Sequence, residues 1–255
     1  VAMPAINVQA AVEAKLAAIR ESIDTEAKPT LADLRAKGSF FLPIVWIGLA
    51  LAVFQQFVGI NAVFYYSNTI WESVGFSESQ AFQTSLITTG INVAFTVVAI
   101  ALVDRVGRKP LLLVGSVGMV VTLATLTWVF GTAATNADGQ PVLADGPDVI
   151  ALIAFNAYVA FFAATWGPVV WVLLGEMFPN RIRATALAVA VAAQWGANFI
   201  VSTSFPELAG ISLGLAYGIF TAFAILSIPF VMKYVRETKG VSLEDMGQLE
   251  GARAS

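Results

Sequence analysis

Cysteine and histidine are both missing from the 255 residues, so disulfides, thiol redox chemistry, imidazole acid–base catalysis and the usual transition-metal sites are excluded at the outset. Charge is scarce too: Asp, Glu, Lys and Arg make up 12% of the chain, against 58% hydrophobic residues. A mean hydropathy of +0.78 lies far above that of a water-soluble domain, and the chain reads as an integral membrane protein. Its net charge of −3 carries little information, because in a membrane the placement of charge matters more than the sum. No Walker loop, dinucleotide fingerprint or nucleophile elbow occurs, which argues against an ATP-driven pump or a membrane hydrolase. No enzyme activity, cofactor, metal or nucleic-acid partner is expected.

What is present is a series of long apolar stretches. Six spans are expected, at Phe40 to Tyr66, Ala81 to Val103, Leu111 to Phe130, Val149 to Leu174, Thr185 to Phe205 and Leu213 to Met232, none containing Asp, Glu, Lys or Arg. The basic residues between spans are one-sided. Arg105, Arg108 and Lys109 lie in the second connection, and Arg181 and Arg183 in the fourth; the odd-numbered connections hold acids and no Lys or Arg. The positive-inside rule then places both termini in the cytoplasm of a multi-pass protein of the cell membrane. Residues 1–39 differ: Val12, Leu16, Ile19 and Ile23 recur at helical spacing among charges, and Thr30 with Asp33 forms a capping-box start for a second short helix. The expected organisation is therefore cytoplasmic amphipathic helices over 1–39, docked under the bundle or lying on the membrane surface, a six-helix bundle over 40–232, and a cytoplasmic tail over 233–255. No signal peptide is expected, since no long apolar core follows a basic start. Val1 stands where a Met would be usual; processing, an unusual start codon or excision from a longer chain would each explain it.

Inside the spans the polar side chains are neutral. Gln55, Gln56 and Asn61 sit in the first, Asn92 in the second, Asn156 in the fourth, Gln194 and Asn198 in the fifth, with Trp166, Trp171 and Trp195 nearby. Gly59, beside Asn61, suits a broken or bent membrane helix whose freed backbone groups face a cavity or other protein. The absence of ionisable residues argues against a proton wire, a voltage sensor or an anion path in these spans. A carboxamide donates and accepts hydrogen bonds as a hydroxyl does, and an indole offers an apolar face plus one donor. A neutral polyol is the favoured cargo on these grounds, and interhelical hydrogen bonding, at about 0.6–2 kcal/mol per amide, is the competing reading. Gly210, Gly214 and Gly218 are spaced for close helix contact, and Trp46, Trp71 and Trp128 fall towards span ends as interfacial anchors do.

The stretches QQFVGINAVFYY, DRVGRKPLLLVG, GPVVWVLLGEMFPNRIRATALA, QWGANF and ETKG occur in the order and spacing of the sugar porters of the major facilitator superfamily. The chain resembles the second half of such a carrier, most closely the bacterial proton-coupled xylose and glucose symporters, with the first six-helix half absent. The resemblance implies an all-α fold equivalent to helices seven to twelve. It also implies that Gln55, Gln56, Asn61, Asn92 and Gln194 hydrogen-bond a sugar, that Trp171 lies under its ring, that Trp195 lines the pocket, and that Tyr65 shapes or gates the outer side. Gly167 and Pro168 would loosen the fourth span so that it moves as a gate.

The same resemblance implies a cytoplasmic latch of helix ends formed by Asp104, Arg105, Gly107, Arg108, Glu176, Arg181 and Glu237. One departure is Arg236, where the family usually has proline. The implied function is alternating-access transport of a pentose or hexose, the proton, if one is coupled, being handled by the missing half, in cis or in trans. A sugar receptor of the same fold and an inactive truncated fragment are the alternatives.

Overall fold

The computed structural model describes residues 30–36, 38–135 and 141–240. The expected helix through Val12 to Ile23 and the tail beyond Gly240 lie outside them. Thr30 does form the capping box with Asp33, whose Oδ2 accepts the Thr30 backbone N–H at 2.8 Å. The box opens a single 3-10 turn, Leu31–Leu34, in place of the expected helix. Its Leu34 is buried, and its Asp33 pairs with Arg181 at 2.7 Å, so the turn is fastened to the end of the bundle that carries the basic connections, here the basic end.

Among the described residues, six segments are long and apolar enough to cross a membrane, at Pro43–Tyr65, Glu78–Val106, Arg108–Gly131, Pro147–Met177, Arg183–Ile211 and Leu213–Tyr234. They fall on the spans expected from hydropathy. Two of them are broken. The first consists of α1 (Pro43–Phe57) and α2 (Ile60–Tyr65), continued by α3 (Ser67–Ser73). Pro43 opens α1, where its missing N–H has no intrahelical partner to lose. Gly59 separates α1 from α2 at φ +91°, a conformation costly for any residue with a Cβ, and a Cβ there would lie 2.3 Å from the Phe220 ring. The Val58 carbonyl, left outside the helical ladder, accepts the Tyr158 hydroxyl at 2.8 Å.

α4 (Glu78–Val106) begins with a second capping box, Ser77 with Gln80, and ends at Gly107, from which α5 (Arg108–Gly131) starts at once. A two-residue antiparallel ladder, β1 (Ala134–Thr135) with β2 (Pro141–Val142), closes the third connection; no strand is expected from the sequence. The fourth span is α6 (Pro147–Ala164) and α7 (Trp166–Met177). Its break falls at Thr165 (φ −137°, ψ −89°), ahead of the Gly167–Pro168 pair that the sequence points to. Pro168 sits in the first turn of α7, and the donor it lacks would serve the carbonyl four residues back, Ala164, the last residue of α6; the proline thus ends the old helix and fits the start of the new one.

α8 (Arg183–Ile211) and α9 (Leu213–Tyr234) complete the bundle. α8 continues past Pro206 to Ile211, leaving Ser212 alone as the connection, which is shorter than hydropathy suggests. Proline removes the donor that would serve the carbonyl four residues back, Ser202; the Tyr66 hydroxyl donates to that oxygen at 2.9 Å.

α5 packs against α9 and α6, α1 against α8, and α4 against α6. Gly214 makes the close contact its spacing implies, against the backbone of Gly131, whereas Gly210 faces open space. Trp46 and Trp128 are exposed at span ends as anchors should be. Trp71 is not: it is fully buried, with its ring 5.0 Å from Phe155 and 5.1 Å from Phe76. α4 and α8 contribute least to the interior. α4 buries only Ala81, Thr84, Thr88 and Ala99, while Val93, Val97 and Ile100 on α4 and Trp195, Phe199 and Ile200 on α8 stay exposed.

Candidate functional site

The breaks in the first and fourth spans bring polar groups together in mid-bundle. Gln55 and Gln56 occupy the last turn of α1 and are 2% and 4% exposed. A buried amide needs partners for both its donors and its acceptor. Gln55 Nε2 donates to the carbonyls of Trp166 and Gly167, each at 3.0 Å, and its Oε1 accepts from Gln194 Nε2 at 2.8 Å. Trp166 and Gly167 are the first two residues of α7, so Gln55 ties the end of α1 to the first turn of the helix that starts beyond the Thr165 break. Asn61, just beyond the Gly59 break, donates from Nδ2 to Gln56 Oε1 at 2.6 Å and to Asn198 Oδ1 at 3.0 Å. Ser202 Oγ also donates to Asn198 Oδ1, at 3.1 Å.

These bonds leave capacity unused. Gln56 Nε2, Gln194 Oε1 and Asn198 Nδ2 have no hydrogen-bond partner among the described residues. Donors and an acceptor thus remain available in one neutral cluster, the combination a hydroxyl requires.

The indole of Trp166 holds the break from behind. It is fully buried, and its Nε1 donates to the Leu112 carbonyl at 3.0 Å and to Ser116 Oγ at 3.1 Å. Ser227 of α9 donates to the same Ser116 oxygen at 2.8 Å. Three spans therefore fix the strand of backbone that Gln55 reads.

Other residues singled out by the sequence are placed differently. Tyr65, Trp171 and Trp195 are exposed and carry no hydrogen bond to the cluster; Trp195 is 61% exposed. Asn92 is half-buried on α4, and its side chain bonds to no described residue, its carbonyl accepting from Thr96. Asn156 is a packing group: its Oδ1 accepts from Thr88 of α4 at 2.9 Å and its Nδ2 donates to Leu152 O. Asn198 enters the cluster more directly than its isolated position suggests, and its spacing of four from Gln194, which places both on one helix face, was the available signal. Tyr158, Tyr66 and the Trp166 backbone left no such signal, because their partners lie on other spans, 100 to 136 residues away.

At the basic end lies a second, charged constellation. Arg108, whose side chain is 9% exposed, donates from Nε and Nη2 to the two carboxylate oxygens of Glu176 at 2.9 and 2.6 Å, and meets Asp104 at 2.9 Å. This fork-on-fork pairing joins α5 to α7. Glu237, from the tail, accepts the backbone N–H groups of Arg108 at 2.9 Å and Lys109 at 3.0 Å, capping the N-terminus of α5. Partial burial pushes the Glu237 carboxyl up, but N–H bonds from Arg108, Lys239, Lys109 and Thr238 outweigh it and hold the group below its ordinary value. Gly107 makes room for it: a Cβ at this residue, which has φ +103°, would lie 2.7 Å from Glu237 Oε2. Thr238 Oγ1 donates to Glu176 and so links the two acids.

Arg105 stands outside this network, its side chain exposed and only its carbonyl engaged, by Lys239 Nζ at 2.6 Å. Arg181 is likewise separate from Glu176 and pairs with Asp33.

Residues 3–249 match the family described as Sugar (and other) transporter. The chain is 51% identical over 236 residues to the glucose transport protein of Synechocystis sp., covering 92% of this chain and 50% of that one. It is 42% identical over 217 residues to the D-xylose-proton symporter of Escherichia coli, covering 82% and 42%. The inward open structure of the E. coli xylose transporter XylE superposes with a TM-score of 0.72 at 39% identity, over 93% of this chain and 46% of that one. A second structure, of the proton:xylose symporter XylE bound to 6-bromo-6-deoxy-D-glucose, gives 0.71 at 42% identity over 82% and 43%. The chain spans about half the length of the curated relatives it matches. With its fold, its ordered motifs and these matches in agreement, the chain belongs to the sugar porter family of the major facilitator superfamily and corresponds to the C-terminal six-helix half of that fold.

Proposed function

We propose that this chain is the cargo-binding half of an alternating-access carrier for a neutral monosaccharide. The observation that carries the reading is the neutral cluster of Gln55, Gln56, Asn61, Gln194 and Asn198, with donors and an acceptor left over. In this reading the spare amide atoms meet sugar hydroxyls, Trp171 and Trp195 offer indole faces to the ring, and Asn92 adds an amide from α4. Tyr65, at the end of the short α2, closes the outer side. The Arg108, Glu176, Asp104 and Glu237 cluster holds the basic end shut, and Arg105, Gly107 and Arg181 belong to the same latch; Arg105 is then a cation awaiting a partner from another helix set.

Alternating access needs two bundles that rock about the site. The exposed apolar faces of α4 and α8 suit a second six-helix half, in cis or trans. The apolar cores of the spans, such as 81–103, 149–174 and 185–205, hold no carboxylate, so proton coupling, as in the xylose-proton relatives, rests with that half. By the one-sided basic connections the basic end is cytoplasmic, with residues 1–39 and 233–255 on that side of the cell membrane and 40–232 within it.

Binding of D-xylose and D-glucose to the purified chain, followed by tryptophan fluorescence, tests the site. Quenching that is saturable with either sugar and lost in Gln194→Ala supports it; no response to either sugar, in the chain alone and paired with a six-helix partner, sinks it. Uptake is expected only with the partner present, and transport by liposomes containing this chain alone would contradict the two-bundle mechanism.

A further inference from the structure

An apolar groove opens at the basic end between the start of α1 and the end of α9, well away from the amide cluster. It has a volume of about 440 Å3 and is lined by Phe41, Trp46, Ile47, Ala50, Phe230 and Tyr234, within the size range of small-molecule sites. The aromatic rings form its walls: Phe41 lies 5.6 Å from Trp46, and Phe230 5.5 Å from Tyr234. Ser39 contributes a hydroxyl at the mouth, accepting from Trp46 Nε1 at 3.4 Å.

Two cations lie against aromatic rings at or next to its walls. The Lys233 ammonium lies 5.2 Å from the centre of the Tyr234 ring, and the Arg35 guanidinium 5.5 Å from that of Phe40. Phe40 in turn packs edge-on against Phe41, at 4.8 Å. At this end Arg108 and Arg181 meet carboxylates, at Glu176 and Asp33, while Lys109, Arg183 and Lys239 donate to backbone carbonyls. Arg35 and Lys233 have no carboxylate partner among the described residues, and neither has Arg236, two residues beyond Tyr234.

We propose that this groove binds one anionic glycerophospholipid, an acyl chain lying along the aromatic walls and the phosphate held between Arg35 and Lys233. The height of the groove suits this occupant. Trp46, exposed near the start of α1, sits at the span end where indoles meet headgroups, so a chain entering sideways from the bilayer keeps its tail in oil. Unpaired cations beside such an opening attract anionic lipids over zwitterionic ones, by about one kcal/mol per basic residue. Two cations then correspond to roughly a 30-fold preference. The groove lies between the start of α1 and the end of α9, so an occupant bridges the two helices.

Native mass spectrometry of the intact chain released from nanodiscs tests this, with discs made from equal parts of phosphatidylglycerol and phosphatidylcholine. One retained phosphatidylglycerol per chain is expected, with the preference falling about tenfold or more in Arg35→Gln/Lys233→Gln. Ala50→Trp, which fills the groove and leaves the cations in place, is expected to abolish retention of either lipid there. Thermal unfolding of each variant checks its fold; where the double variant fails to fold, Ala50→Trp alone decides.

Four outcomes overturn the proposal, and three concern the lipid itself: equal retention of the two lipids, a preference that survives Ala50→Trp, or displacement by glycerol phosphate at the same concentration as the lipid, which would mean an anion site without a tail. A fourth is lipid retention that emerges only when residues 1–29 are deleted. That result would assign the groove to the chain's own N-terminal segment.

Discussion

The two polar regions of the bundle solve opposite problems. In mid-membrane, Gln55, Gln56, Asn61, Gln194 and Asn198 are all neutral, and their bonds leave donors and an acceptor over. At the basic end, Arg108, Glu176, Asp104 and Glu237 are all charged; Glu237 accepts four backbone N–H bonds, and the three partners of Arg108 engage Nε, Nη1 and Nη2. The difference follows from solvent. An ion in hydrocarbon costs several kcal/mol unless fully paired, so a mid-membrane cluster with unsatisfied hydrogen-bonding capacity, as the proposed sugar site requires, is built from amides. Near the interface water reduces that penalty, and a saturated charge pair can serve as a fastener.

The sharpest way to break the contrast is to move a charge into the neutral region. In Gln55→Glu a carboxylate would face the Trp166 and Gly167 carbonyls with no proton to give. A loss of about 3–5 kcal/mol is expected, read as a collapse of thermal stability in detergent. Partial recovery at low pH, where the acid regains a proton, would confirm the cause.

The reverse exchange, Glu176→Gln, keeps the shape but leaves Arg108 with Asp104 as its remaining carboxylate. Because the Glu176 side chain is 28% exposed, solvent softens the effect to about 2 kcal/mol. The lost stability should come with faster protease nicking of the α5 and α7 ends. Trp166→Phe, which retains the ring and removes its N–H, should cost about 1–2 kcal/mol. It should also weaken sugar binding severalfold, whereas Ser227→Ala should lower stability and leave binding nearly unchanged. Equal effects of the two on binding would show that the indole does not position the break.

The smallest expected effect is on pH. The Glu237 carboxyl is held below its unfolded value of 4.5, so its contribution is complete above that pH and is lost as pH falls through the lower folded value. A stability profile between pH 7 and 3 should show a loss on acidification that is absent in Glu237→Gln.

Much of the architecture is legible without coordinates, for a local reason. Whether a stretch such as Leu111 to Phe130 can cross a membrane depends on its own side chains, so hydropathy finds its limits to within a few residues. The breaks are less legible. Gly59 marks one because only a glycine tolerates both the positive φ and the Phe220 ring. Pro168 marks the other only to within a turn: its missing donor would serve the Ala164 carbonyl, where α6 ends, so the kink falls at Thr165, three residues ahead of the proline. Trp71 shows the same limit: its place near a span end suggests an anchor, yet Phe76 and Phe155 bury it.

The amino-acid sequence by itself determined that the chain crosses a membrane six times, that its spans carry amides rather than charges, and which end is basic. Composition and period along a single helix decide such properties. The tertiary structure alone decided that Gln55 reads the first-turn carbonyls of α7, that Asn198 belongs with Asn61, and that Glu176 holds Arg108 while Arg181 turns to Asp33. Those partners lie 68 to 148 residues apart, and the choice among equally polar candidates at such separations is made by which helices pack together.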